Sequence, residues 1–259
     1  MTYKKMVFTR DRRQKMKPIL FNTEMVRAML DGRKTVTRRV IKFDTAYPNA
    51  VRPVENPVGL MTASKIIRPP YQVGDTLYVR ETWKRFSGML YGWENGTYIP
   101  LDDFEGYQYK AGEQCICTKG YNPLCGGFED QKSDIHFDDN WHPSIHMPKE
   151  AARIFLRVIS VRVERLQDSF FKSGSTIFTL LREGIDIGEQ CRDCIDTYGS
   201  PCCIDDESEC GTLDEVRSDY SDLWNSTVKK SDLDKYGWDA NPWVTVNKFE
   251  RIKNVHSLP

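Results

Sequence analysis

The sequence predicts an α+β fold: a small, mostly antiparallel β-barrel with helices packed at its ends and two cysteine-rich loop insertions. Three observations carry this. About six segments are β-branched, apolar or alternating in the way of strands. Three segments repeat apolar residues at helical spacing. The strands are separated by long connections, two of them rich in cysteine. Strands in this order with few helices between them suit an antiparallel barrel better than a βαβ array.

Taken in order, "KPILF" (17–21) reads as a short strand and "NTEMVRAMLDG" (22–32) as a helix. Asn22 or Thr23 suits its N-cap, and Gly32 suits its end. Met25, Val26, Met29 and Leu30 form its apolar face. "KTVTRRVI" (34–41) is β-branched and alternating, so it is expected as a strand. Residues 43–72 hold five prolines and read as an excursion. "GDTLYVRETW" (74–83) is a turn and a strand, and "MLYGWENGTYIPL" (89–101) is a hairpin turning on Asn95-Gly96. "GYQYKAG" is a further short strand, and 113–147 reads as the first irregular insertion. "RIFLRVISVRVERLQ" (153–167) is the strongest strand signal. "TIFTLLREG" is expected to be helical, and 190–212 is the second insertion. Val216, Tyr220, Leu223 and Trp224 mark an amphipathic helix, and "PWVTVNKFERI" closes the chain as a strand.

The chain has 259 residues, with 37 basic and 37 acidic side chains. That length fits one large domain, here residues 16–259, preceded by a basic extension over 1–15. Net neutrality argues against indiscriminate coating of nucleic acid but leaves room for a local basic site. No apolar run approaches the ~20 residues of a membrane span, and no secretory signal is visible, so a cytoplasmic protein without a membrane partner is expected.

Charge concentrates in "DGRKTVTRR" (31–39), where Arg33, Lys34, Arg38 and Arg39 surround Thr35 and Thr37. The plain interpretation is a basic helix end beside ordinary strand threonines. The chemical one is a lysine–threonine pair. A threonine hydroxyl attacks an amide only when a base takes its proton. Lysine is that base only if burial and neighbouring cations lower its pKa. An extended backbone sets Lys34 and Arg38 on one face and Thr37 on the other, and a turn or bulge near Thr35 would bring Lys34 and Thr37 together.

Four stretches, "MKPILFNTEMVRAMLDGRKTVTRR", "PYQVGDTLYVRETW", "WHPSIHMPKEAARIFLRVISVRVERLQD" and "DANPWVTVNKFE", resemble in order the blocks of ASCH-domain proteins, in the longer form common in phages and prophages. The resemblance spans about 16–250. It implies a PUA-like barrel with a cleft for RNA or modified nucleosides. Some small bacterial members are amidohydrolases that remove the acetyl group of N4-acetylcytidine with a lysine, a threonine three residues later and a glutamate. Carried over, these fall on Lys34, Thr37 and Glu183, with Glu81 as the alternative carboxylate. Arg33, Arg38, Arg39, Tyr78, Glu81 and Trp83 are the candidate substrate contacts. A non-catalytic RNA-binding module, with cations on phosphates and Tyr78 or Trp83 stacked on a base, uses the same residues. A third reading is an accessory phage protein whose insertions dock a protein partner.

The eight cysteines of a chain without a visible signal point to thiols or metal rather than disulfides. "CRDC" has the spacing by which two thiolates grip one zinc, and Cys191, Cys194, Cys202 or Cys203, and Cys210 would close a structural tetrahedral site. Free thiols on a loop are the alternative. Cys115, Cys117 and Cys125 with His136, His142 or His146 form a second candidate set. The H-x-E…C-x-x-C pattern of zinc deaminases is absent.

Overall fold

The structure is a computed structural model that describes residues 16–43, 51–55, 57–120, 132–168, 176–185 and 212–252. Strand β1 (Lys17–Leu20) leads into α1 (Thr23–Leu30). Asn22 caps the helix, its Oδ1 accepting from the Met25 N–H at 2.8 Å, which satisfies one of the amides a helix start leaves open. Val26, Ala28 and Met29 are the buried face. Gly32, at φ +78°, turns the chain toward β2 (Val36–Val40). The left-handed φ is one that glycine adopts without a Cβ penalty.

The prolines of the next segment do not prevent strands. β3 (Arg52–Glu55), β4 (Val58–Met61) and β5 (Ile66–Ile67) form a three-stranded antiparallel sheet. β3 is its edge strand, where the N–H that Pro53 lacks is dispensable. β6 (Thr76–Arg80) follows. β7 (Trp83–Glu94) and β8 (Thr97–Tyr109) then make a long hairpin, with Asn95 at φ 51° and Gly96 at φ 84°, as the sequence predicts. β9 (Gly112–Lys119) and β10 (Ser133–Phe137) pair onto its two edges. The expectation that 113–147 is irregular throughout is therefore corrected. Local composition disfavours strands there, and ladders along the hairpin override it.

β11 (Phe155–Arg165) and β12 (Trp243–Arg251) complete a five-stranded sheet in the order β1–β6–β11–β12–β2. The β1–β6 ladder is parallel and the rest are antiparallel. One face packs Ile19, Leu77, Val79, Leu156 and Phe249 against Val26 and Met29 of α1. The other packs Val36, Val244 and Val246 against Leu180 of α2 (Thr176–Glu183) and Tyr220 and Trp224 of α3 (Thr212–Thr227). A short helix α4 (Leu233–Tyr236) precedes β12.

The fold is thus α+β and mostly antiparallel. Among the described residues no ladder closes the five-stranded sheet into a barrel, and β1 and β2 remain its edges. The outward carbonyls of β1 are taken by side chains instead: Tyr71 donates to Pro18 O at 2.9 Å and Arg39 to Leu20 O at 2.6 Å. Among the described residues no helix is long and apolar enough to cross a membrane.

Candidate active site

The space between the two edge strands is where the predicted residues meet. The strand β2 begins only at Val36, so Lys34 and Thr35 are not part of its alternation. The Lys34 N–H donates to Ala28 O at the end of α1, and the Thr35 N–H to Arg182 O at the end of α2, both at 2.9 Å. Two helix ends therefore hold this segment. The turn itself lies earlier, at Asp31 and Gly32, and Thr35 O still accepts from the Phe249 N–H of β12 at 2.9 Å, so no turn or bulge stands at Thr35; Lys34, Thr37, Arg38 and Arg39 nevertheless all border one cavity.

Lys34 is 4% exposed and Glu183 3%. The lysine Nζ donates to Glu183 O at 2.6 Å and to Glu183 Oε2 at 3.1 Å. A cation at a helix C-terminus is favourably placed, because the last carbonyls lack intrahelical partners. Arg38 donates from Nη1 to Glu183 Oε1 at 2.6 Å and from Nη2 to Glu164 Oε1 at 3.2 Å. One carboxylate thus lies between two buried cations, and Arg38 carries the link on to β11. Tyr220 belongs to the same group through a hydrogen bond with Arg38.

Desolvation lowers the Lys34 pKa, and Arg39 and Arg38 lower it further, against the opposing pull of Glu183. Burial opposes the Arg38 charge, but Glu183, Tyr220 and Glu164 together raise its pKa. Burial, then the Glu183 carboxylate, push the Tyr220 phenol well above its ordinary value, so it stays neutral. Burial lowers the Arg39 pKa as well, but the guanidinium starts from a far higher ordinary value, so Lys34 is the cation of the lining whose proton is the more readily lost.

The cavity measures about 150 Å³. Its floor is Lys34, Thr37, Arg38, Glu183 and Tyr220, all buried, and its mouth carries the exposed Leu20, Asn22 and Thr227. Thr37 is 4% exposed, and its hydroxyl has no hydrogen-bond partner among the described residues. Phe21 forms one wall, with Lys34 Nζ 5.6 Å and Arg39 Cζ 5.3 Å from its ring centroid. Lys34, Arg38 and Arg39 against Glu183 leave the lining with an excess of positive charge.

Of the other predicted contacts, Arg33 turns away, to Asp31 Oδ2 at 2.9 Å and Gly184 O at 3.3 Å. Tyr78, Glu81 and Trp83 do not line the cavity. Tyr78 packs in a separate cluster with Tyr109, Met147 and Phe155. Glu81 is held by Arg153 in a two-point ion pair, at 2.9 and 2.8 Å. Trp83 packs against Tyr107 and His142, with ring centroids 5.4 and 4.8 Å away. The carboxylate that reaches Lys34 is Glu183. Phe21, Tyr220 and Trp224 are wall residues that sequence reasoning treated as core or did not single out. Tyr220 and Trp224 stand four apart on α3, a spacing that marks a face without saying whether it meets protein or ligand.

Cys191, Cys194, Cys202, Cys203, Cys210 and Cys125 lie outside the described residues. Cys115 is disulfide-bonded, contrary to the expectation of thiols or metal ligands rather than disulfides, whereas Cys117 keeps its thiol. Among the described residues no group of three or more His, Cys, Asp or Glu side chains is arranged to hold a metal ion.

Comparison of the chain with protein-family models, with curated proteins and with solved structures gives no match.

Proposed function

We propose that the cavity binds a modified pyrimidine nucleoside such as N4-acetylcytidine and hydrolyses its amide, on a scaffold of PUA-like type. One observation carries this reading: Lys34 and Glu183, 149 residues apart in sequence, meet beside a buried Thr37 whose hydroxyl is unengaged. Those are the three positions that the ASCH-domain resemblance implies.

The chemistry follows from the donors. A neutral amine has two N–H groups, and Lys34 has two acceptors on Glu183, so its lone pair is not needed there and can accept from the Thr37 hydroxyl as the substrate binds. Lys34 takes the Thr37 proton as Oγ1 adds to the acyl carbon. The positive lining favours the oxyanion. The C–N bond breaks as Lys34 returns the proton to the leaving exocyclic nitrogen. Water, losing its proton to Lys34, then adds to the threonine ester, and loss of the acid regenerates the hydroxyl. Glu183 holds the amine in place throughout. The cavity is about as large as one that holds a single benzene ring, so the base would enter with its acylamino edge first and leave the rest toward the open mouth.

The test is release of acetate from N4-acetylcytidine by the purified chain, beside Lys34→Ala and Thr37→Ala. Turnover lost in both folded variants is expected. Absence of turnover by the unmodified protein removes the hydrolase, and RNA or nucleoside binding is then measured directly.

A further inference from the structure

The substrate reading above leaves open what excludes larger bases. We infer that Trp224 is the wall that limits the site to a single ring, and this rests on that reading. Three observations support it. Trp224 lines the cavity and is 7% exposed, so its ring is packed on its far side by the core. Its indole N–H donates to Tyr236 O at 2.9 Å, which fixes the ring plane from the end of α4. Tyr220, one turn earlier on α3, is likewise tied by its polar end, to Arg38. Two anchored aromatics that line the same cavity as Phe21 do not yield to a larger guest, because packed interiors resist deformation.

The chemistry of the bases makes that wall selective. The reacting amide must reach the floor, where Lys34, Thr37 and Glu183 lie. In an N4-acylcytidine the ring carbon beside the acylamino-bearing carbon carries only hydrogen. In an N6-acyladenosine the same position is fused to the five-membered ring, which must descend beside the amide rather than stay at the mouth. The fused ring is therefore the part of the purine that would meet Trp224 in the lining, whereas the pyrimidine presents only hydrogen there. A 5-methyl group on the pyrimidine probes the same clash with one carbon.

Calorimetric titration of the Thr37→Ala protein, which retains the cavity without turnover, tests this with N4-acetylcytidine, N4-acetyl-5-methylcytidine and N6-acetyladenosine. The same titrations are repeated with Trp224→Leu and with the more conservative Trp224→Phe, each checked for folding by circular dichroism. Binding of acetylcytidine at least ~10-fold tighter than of acetyladenosine, with that ratio shrinking in the Trp224 variants, is expected. An unchanged ratio in folded variants that still bind acetylcytidine overturns the role of Trp224 and leaves the nucleoside reading intact. Failure of all three ligands to bind overturns both.

Discussion

Lys34 reaches Glu183 through two different atoms, the main-chain oxygen at 2.6 Å and the carboxylate Oε2 at 3.1 Å. The other carboxylate oxygen belongs to Arg38, at 2.6 Å. The end of α2 is thereby welded to the turn that precedes β2. Removing the carboxylate while keeping the backbone contact strands two cations that are almost fully buried.

Glu183→Ala should therefore lower stability by about 3–5 kcal/mol, the usual result of breaking a buried ion pair from one side. Glu183→Gln should lose less, because the amide oxygen still accepts from one cation. Urea unfolding followed by far-UV circular dichroism measures both. A loss below about 1 kcal/mol for the alanine variant would mean that the cluster contributes as little as an exposed pair.

The lowered Lys34 pKa has a signature in stability as well as in rate. In the window between its folded pKa and the ordinary value of 10.5, the unfolded chain binds the proton more firmly. Stability due to this group must rise with pH across that window and level off above it. Lys34→Met should abolish that rise, read as the difference between the two proteins in urea midpoints measured from neutral to alkaline pH. The hydrolysis rate should climb over the lower edge of the same window, as the neutral amine forms. A flat difference curve would show that Lys34 titrates no differently in the folded and unfolded chain.

Much of this site was legible in the sequence, and the limits have physical causes. The basic motif and the glycine turn located Lys34 and Thr37, because turn chemistry and β-branching are local signals. Their convergence was not legible. It depends on one local and one long-range hydrogen bond, Lys34 N–H to Ala28 O and Thr35 N–H to Arg182 O, that hold the segment before β2 against the ends of α1 and α2. Glu81 stood as the alternative to Glu183 because alternation along "TLYVRE" gives a face but not a partner. The partner, Arg153, stands 72 residues away. The four-stranded sheet was half visible for a related reason. Asn95-Gly96 announced its central hairpin, whereas β9 and β10 exist through pairing to that hairpin rather than through their own composition.

Glu81 provides the control for Glu183. Both are buried carboxylates, but Glu81 meets Arg153 away from the cavity. Glu81→Ala should cost a comparable ~3–5 kcal/mol in urea unfolding and leave nucleoside affinity within about two-fold. Loss of affinity in a protein that remains folded would place Glu81, rather than Glu183, in the binding site.

Two glycines separate backbone strain from packing at the site. Gly184, directly after Glu183, has φ +87°, and Gly74 has φ +90°. A side chain at either position is strained by a similar amount, about 1–3 kcal/mol. Around Gly74 a Cβ would meet nothing within 4 Å. At Gly184 it would lie 2.8 Å from Ala28 Cβ and 3.1 Å from Lys34 Cβ. Neither neighbour can rotate away, since each contact is made by a Cβ fixed to its own backbone. Gly184→Ala should therefore lose clearly more stability than Gly74→Ala and should displace Lys34 from Glu183. Hydrolysis should fall at least ~10-fold in Gly184→Ala, consistent with the sensitivity of catalysis to small misplacements, and stay near the unmodified rate in Gly74→Ala. Equal losses in the two variants, in urea midpoint and in rate, would mean that the close approach of Gly184 to Lys34 does not govern the site.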